Sequence, residues 1–173
     1  MIGKKDSIVI SYEKLFNFIT KILEKHHVPN DEAKIVAETL ATANLRGIDS
    51  HGVARLPIYV KRLSAGSIRP TSKITIVKET PSIAVIDAHQ SFGQIAGYKA
   101  MELAIKKAKS SGIGVVGVRN SEHFGAAAFF AMMALRSNMI GISITNTTPL
   151  MPPTGGVKHL LKSHLKTPSC GRG

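Results

Sequence analysis

The chain has no tryptophan, a single cysteine and few acids, 11 Asp+Glu against 23 Lys+Arg in 173 residues. It also lacks an apolar run near the ~18 residues that a membrane-spanning helix requires. Each shortage excludes something. Cys170 alone can neither close an internal disulfide nor build a thiolate metal cluster. The start, Met1-Ile2-Gly3-Lys4-Lys5-Asp6, has no apolar core or small-residue cleavage site, so no secretory signal is expected and the expected location is cytoplasmic. What remains is ordinary: 43% hydrophobic and 20% charged residues, which argues against a disordered chain. The length suits one large domain or two small ones.

The net charge of +12 is uneven. Residues 158–173 carry four basic residues and no acid. Excess positive charge favours anionic partners: a phosphorylated cofactor, a carboxylate substrate or nucleic acid. No basic-aromatic alternation or nucleic-acid motif accompanies it, so nucleic acid is not the expected partner. No set of histidines and acids has metal-ligand spacing, and no metal is expected.

Periodicity divides the chain. Ser7–Ser11 is β-branched and predicts a short strand. Tyr12–His26 places Leu15, Phe16, Ile19, Ile22 and Leu23 on one helical face. Pro29-Asn30-Asp31-Glu32 starts a second helix, with Asn30 as expected N-cap, burying Ile35, Val36, Leu40 and Ala43 and stopping at Gly47. Residues 48–66 form a third helical region that kinks or restarts near Pro57. After residue 70 the pattern alternates: strands at 74–78, 83–87, 113–118 (buried) and 140–145, and helices at 92–110 and 123–137. This predicts an α/β protein. Its expected parts are an N-terminal helical subdomain (1–70), a mixed α/β unit (71–157) and an aberrant tail (158–173).

Gly112-Ile113-Gly114-Val115-Val116-Gly117 matches G-x-G-x-x-G in letters only. A dinucleotide turn follows a strand and opens a helix; here a helix precedes the glycines and a strand follows, so the unit is of non-Rossmann type.

The chemistry-bearing segment is Arg46-Gly47-Ile48-Asp49-Ser50-His51-Gly52-Val53-Ala54-Arg55, with Tyr59 beyond it. On a helix over 51–59, His51, Arg55 and Tyr59 would be spaced i, i+4, i+8 as a polar stripe opposite Val53, Leu56 and Val60. Arg55 could clamp a carboxylate through two parallel hydrogen bonds, His51 could exchange a proton, Ser50 could orient the imidazole, and Tyr59 could add a hydrogen bond. This kit suits a small 2-oxo or 2-hydroxy acid. Alternatively, Asp49 or Ser50 simply caps a helix and His51 is a surface residue. His123 follows a strand, in Val118-Arg119-Asn120-Ser121-Glu122-His123-Phe124-Gly125-Ala126-Ala127. Either a cofactor phosphate binds the helix start there, or Asn120 or Ser121 caps and His123 is a polar first-turn residue. Asn146-Thr147-Thr148-Pro149 is a third polar cluster at a strand end. His26, His27 and His89 are read as structural.

At these three motifs, the last followed by Pro152-Pro153-Thr154-Gly155-Gly156, the sequence resembles the malate/L-lactate dehydrogenase family of the non-Rossmann type, from about Ser7 to Val157. The resemblance implies hydride transfer with NAD or NADP on a fold of its own, usually in a homodimer. It implies that Ser50 and His51 are a proton-relay pair, that Arg55 contacts the substrate carboxylate and that Tyr59 lies in the substrate pocket. It implies that His123 is a catalytic base or a cofactor contact. Phe124, Gly125, Ala126 and Ala127 would fall in the cofactor segment, as would Thr147 with Asn146 beside it. His51 is preferred as acid/base, with His123 as runner-up.

Beyond Val157 the resemblance stops. The family pattern calls for a Gly-Thr-Asn-Pro loop and a long apolar strand, whereas this chain has the acid-free tail without strand-like alternation. A frameshift near Leu161 is expected: Lys162-Ser163-His164 read one base later restores an Asn-Pro pair. The chain is accordingly expected to be a truncated member with little or no dehydrogenase activity. The alternatives are a non-catalytic fragment that pairs with a homologous subunit and a basic nucleic-acid binder.

Overall fold

The computed structural model describes residues 9–146 and the backbone of a strand over 165–169. Thr147, the Pro-Pro-Thr-Gly-Gly loop and the rest of the tail lie outside the described residues.

Three helices come first: α1 (Tyr12–Lys25), α2 (Asn30–Leu45) and α3 (Leu56–Ser64). α1 packs along α2 and buries Ile19 and Leu23 completely, with Leu15, Phe16 and Ile22 at the rim of the same core. Burial of such a face, rather than helix propensity, stabilises helices this short. No strand forms over the described part of 7–11. Ser11 is instead the N-cap of α1, its side chain accepting from the Lys14 amide, and Val9 is 98% exposed. The cap of α2 also differs from expectation. Pro29 occupies that position, and Asn30 is the first helical residue, its Nδ2 donating to Glu24 Oε1 at 2.6 Å. α3 is a fresh helix beginning one residue before Pro57, where a missing N–H costs nothing.

The α/β unit contains β1 (Thr75–Glu79), β2 (Ile83–Asp87), α4 (Gly93–Ser111), β3 (Val115–Arg119), α5 (Ala127–Met133) and β4 (Gly141–Thr145). β1 and β2 pair antiparallel, with an irregularity between Ile76 and Lys78; β2 and β3 pair parallel, joined by α4. α4 covers one face of this sheet, where Ala84 and Ile86 are buried. β3 was predicted to be a buried strand. Among the described residues it lies at the sheet edge with α4 on one face only, and Val115 is 49% exposed. β4 forms a separate two-stranded sheet with β5 (Leu165–Ser169), a strand the tail sequence did not predict. Gly141 lets β4 close on α5: a Cβ there would collide with the Ala131 carbonyl.

Two of the glycines of the false dinucleotide motif behave as expected, and Gly114 does not: it was expected within the strand but lies just before β3, where a Cβ would collide with the Ala104 carbonyl. Gly112 ends α4 at φ +76°, and Gly117 lies within β3. Among the described residues no helix is long and apolar enough to cross a membrane, and no group of three or more His, Cys, Asp or Glu could hold a metal.

Candidate active site

Residues 51–59 are not one helix, and the predicted stripe is not formed. Two tight 3-10 turns, Asp49–His51 and Val53–Arg55, precede α3, separated by Gly52 in extended backbone (φ −90°, ψ −152°). Asn44, from the last turn of α2, ties these turns together. Its Oδ1 accepts from the Val53 amide (2.7 Å) and its Nδ2 donates to Asp49 Oδ1 (2.6 Å). A Cβ on Gly52 would collide with this amide group. Asp49 is therefore held by Asn44 rather than capping a helix.

The turns nevertheless gather the predicted side chains. Ser50 Oγ lies 3.0 Å from His51 Nδ1. Arg55 Nε donates to the Ser50 carbonyl at 2.6 Å, the one bond its guanidinium makes among the described residues. Its terminal nitrogens keep the fork that suits a carboxylate. The His51 ring stacks on His123, centroids 5.7 Å apart at 27°. Tyr59 departs from the expected polar stripe: it is only 1% exposed, on the core face of α3 with Leu56, edge-on to Phe92 at 5.8 Å. From there its hydroxyl reaches His123 Nδ1 at 2.7 Å.

His123 was predicted to open a helix. That helix starts four residues later, at Ala127, because Gly125 takes φ +83°, a left-handed conformation outside helical space. His123 is instead placed by the turn at the ends of β2 and β3. The Asp87 carboxylate accepts from the His89 amide (2.9 Å), Arg119 Nε (2.8 Å) and Asn120 Nδ2 (2.9 Å). These bonds, first that from the His89 amide, hold Asp87 below the usual carboxylate range. The Glu122 amide then donates to the Ser91 carbonyl at 3.1 Å, and its carboxylate accepts from Arg62 at 2.6 Å. Gly93, the first residue of α4, lets residues 122 and 123 pass against it: a Cβ would collide with both their carbonyls.

Burial, reinforced by Arg55, lowers the pKa of His51. Burial also takes His123 down to about 4, with Arg55, His51 and Arg62 adding repulsion. Burial pushes Tyr59 up to about 12, opposed in part by a hydrogen bond from Gln94. At neutral pH the imidazole of His123 is therefore uncharged and Tyr59 is un-ionised, beside the permanent cation of Arg55.

The other predicted residues are dispersed. Phe124 packs on Phe130 at 4.4 Å, Gly125 is buried against the Gln94 side chain, Ala126 is the extended cap of α5 and Ala127 its first residue. Among the described residues the amides of Phe124, Gly125 and Ala126 find no backbone acceptor. Asn146 is exposed at the end of β4, its carbonyl accepting from Thr145 Oγ1 at 3.3 Å, and makes no bond to the histidine cluster. Thr147 lies outside the described residues. Two clefts, of about 370 and 410 Å3, are lined by other residues, so the histidine pair does not lie in either.

The sequence reading missed Asn44, Asp87 and Gln94. Gln94 left a legible signal: a glutamine between Gly93 and the apolar Ile95-Ala96-Gly97 stretch of α4, 0% exposed in the fold. Asn44 and Asp87 left none, because their partners are set by backbone turns.

A sequence profile described as malate/L-lactate dehydrogenase matches residues 10–162. The malate dehydrogenase of Pyrococcus abyssi is 48% identical over 166 residues, 94% of this chain and 46% of that protein. The ureidoglycolate dehydrogenase (NAD(+)) of Escherichia coli O157:H7 is 36% identical over 149 residues, 86% of this chain and 43% of its own length. The solved structure of malate dehydrogenase from Pyrococcus horikoshii OT3 superposes with a TM-score of 0.91 at 45% identity, covering 98% of this chain and 49% of that one. The chain thus spans about half the length of the curated relatives it matches.

Proposed function

The chain belongs to the malate/L-lactate dehydrogenase family, and on that premise we propose that it supplies the acid-binding and proton-exchanging half of an NAD-dependent 2-hydroxy acid dehydrogenase site. The observation that carries this reading is the stacked pair His51–His123 beside Arg55, whose guanidinium fork is open. Malate and ureidoglycolate, which name two of the relatives, are both small 2-hydroxy acids.

In this reading Arg55 grips the substrate carboxylate with its terminal nitrogens while its Nε stays on Ser50. That places C2 and its oxygen toward the imidazoles. As the 2-hydroxy acid is oxidised, the hydroxyl proton passes to an imidazole and the C2–H leaves as hydride. A lowered histidine pKa keeps the imidazole able to accept that proton at neutral pH. A bound nicotinamide would accept the hydride. The residues present fit such a group: the unengaged amides of Phe124, Gly125 and Ala126 would hold its polar atoms. Asn146, exposed at the end of β4, would extend that contact, and the family resemblance adds Thr147 to it.

Because the chain spans half of its relatives, the test is a chimera. Residues 10–157 of this chain are joined to the remaining half of the Pyrococcus horikoshii enzyme. Expected is 2-hydroxy-acid-dependent growth of the reduced-nicotinamide absorbance band, falling roughly 10²-fold or more in His51→Ala. A folded chimera silent with malate, lactate and ureidoglycolate would overturn the reading.

A further inference from the structure

We propose that Gln94 is a positioning residue that acts through Tyr59 to fix His123 as the Nε2–H tautomer, a hydrogen-bond donor that leaves proton acceptance to His51. The inference rests on the reading of the cluster given above and deepens it.

Three atoms form the chain. Gln94 Nε2 donates to the Tyr59 hydroxyl oxygen at 2.6 Å, and that hydroxyl lies 2.7 Å from His123 Nδ1. A tyrosine hydroxyl has one proton to give. With Gln94 donating into the oxygen, that proton turns to Nδ1. A neutral imidazole that accepts at Nδ1 carries its proton on Nε2.

The direction depends on which end of the Gln94 amide faces Tyr59. Gln94 is 0% exposed, and its Oε1 is buried without a partner among the described residues. Turning the amide over would satisfy that oxygen but strand both N–H groups instead. The donating orientation strands Oε1 and one N–H instead of two N–H groups, and an under-satisfied carbonyl is the commoner compromise, so that orientation is preferred. Gly125 packs on the Cγ of Gln94, where an added Cβ would lie at van der Waals distance (3.4 Å). The groups facing His123 are His51 from the first 3-10 turn, Arg55 from the second and Arg62 from α3, the last paired with Glu122. All three oppose a second proton on the ring, so the neutral tautomers are the states to be chosen between.

The arrangement divides labour between the two histidines. His51 has Nδ1 beside a serine hydroxyl, which can donate or accept, so its ring adapts as a proton arrives or leaves. His123 is locked at Nδ1 by a buried glutamine and polarises the substrate oxygen through Nε2–H.

The test needs no turnover. In the 15N-labelled chain at neutral pH, long-range proton–nitrogen correlations of His123 distinguish a bare from a protonated Nδ1. Expected is a bare Nδ1 and a protonated Nε2; a protonated Nδ1 would overturn the inference. In Gln94→Glu, once the carbon shift shows the new carboxyl ionised, that group can only accept. Tyr59 then turns its proton away from His123, and Nδ1 becomes protonated. An unchanged tautomer beside an ionised carboxylate would contradict the proposal. If that variant does not fold or does not ionise, Gln94→Met removes the donor at similar volume. It should give a mixture of tautomers; a single unchanged Nε2–H form would refute the role. Tautomer reversal with a silent chimera would remove the hydride reading alone, and an active chimera with an unresponsive tautomer would remove only this inference.

Discussion

The hydroxyl of Tyr59, buried in the helical core, lies 2.7 Å from Nδ1 of His123, 64 residues further along the chain. This bond joins the helical part of the chain to the α/β part. It also gives the two histidines different surroundings: His51 faces a serine on a half-exposed turn, and His123 faces a tyrosine anchored by a buried glutamine.

Arg55 should govern both imidazoles. It depresses His51 and His123 through space, so Arg55→Gln should raise the pKa of both, His123 from about 4 towards its ordinary value. Proton NMR titration of the two rings measures this. Unmoved titration curves would mean that Arg55 does not face them.

Stability should depend on pH through His123. Its folded pKa of about 4 lies below the unfolded value near 6.5, so between these the unfolded chain binds more protons. Its contribution is complete above about pH 6.5, falls as pH drops through that window and is flat below about 4. Denaturant melts should show a less stable protein at pH 5 than at pH 7. His123→Phe should narrow the gap; an equal gap would assign the effect to other groups.

Asn44 should hold the Ser50–His51 turn. Asn44→Ala removes an acceptor from the Val53 amide and a donor from Asp49. A loss of about 1–3 kcal/mol is expected, from the unsatisfied groups left behind. Gly52→Ala should destabilise by a comparable amount, since its methyl group meets the same amide. In either variant the magnetisation transfer between the His51 and His123 rings should weaken. Thermal melts and ring-to-ring NOEs check both.

Gly93→Ala should displace His123 without touching it. The added methyl would collide with the Glu122 and His123 carbonyls, backbone atoms that cannot rotate away. A destabilisation of about 1–3 kcal/mol is expected, with the Tyr59–His123 bond lost before the helical core. Chemical-shift mapping should show changes concentrated at 120–126.

Much of this was legible in the sequence, for identifiable reasons. The strong apolar face of α1 and the β2–α4–β3 alternation fixed those elements within a residue or two, because periodic burial dominates in long segments. Ser50, His51 and Arg55 stood out by residue chemistry and His123 only by the family resemblance; that the four lie together was not legible. The polar stripe required a continuous helix over 51–59, which Gly52 in extended backbone breaks, while the fresh helix near Pro57 is the restart expected there. Likewise Gly125 delays α5 beyond His123. Helical spacing puts Tyr59 on the polar face, whereas the fold buries it. Its ring is apolar enough to join the core while its hydroxyl finds partners there, a dual character that spacing cannot reveal. The exposure of β3 depends on which strands flank it, and no local pattern encodes that.

The central claim is that Arg55, His51 and His123 form one site for a small carboxylic acid. The direct measurement is an NMR titration of the chain with malate and with oxamate, following both histidine rings, with chloride at equal ionic strength as control. Saturable shifts of both rings are predicted, lost in Arg55→Gln and absent with chloride. Rings that do not respond, or that respond equally without Arg55, would contradict it.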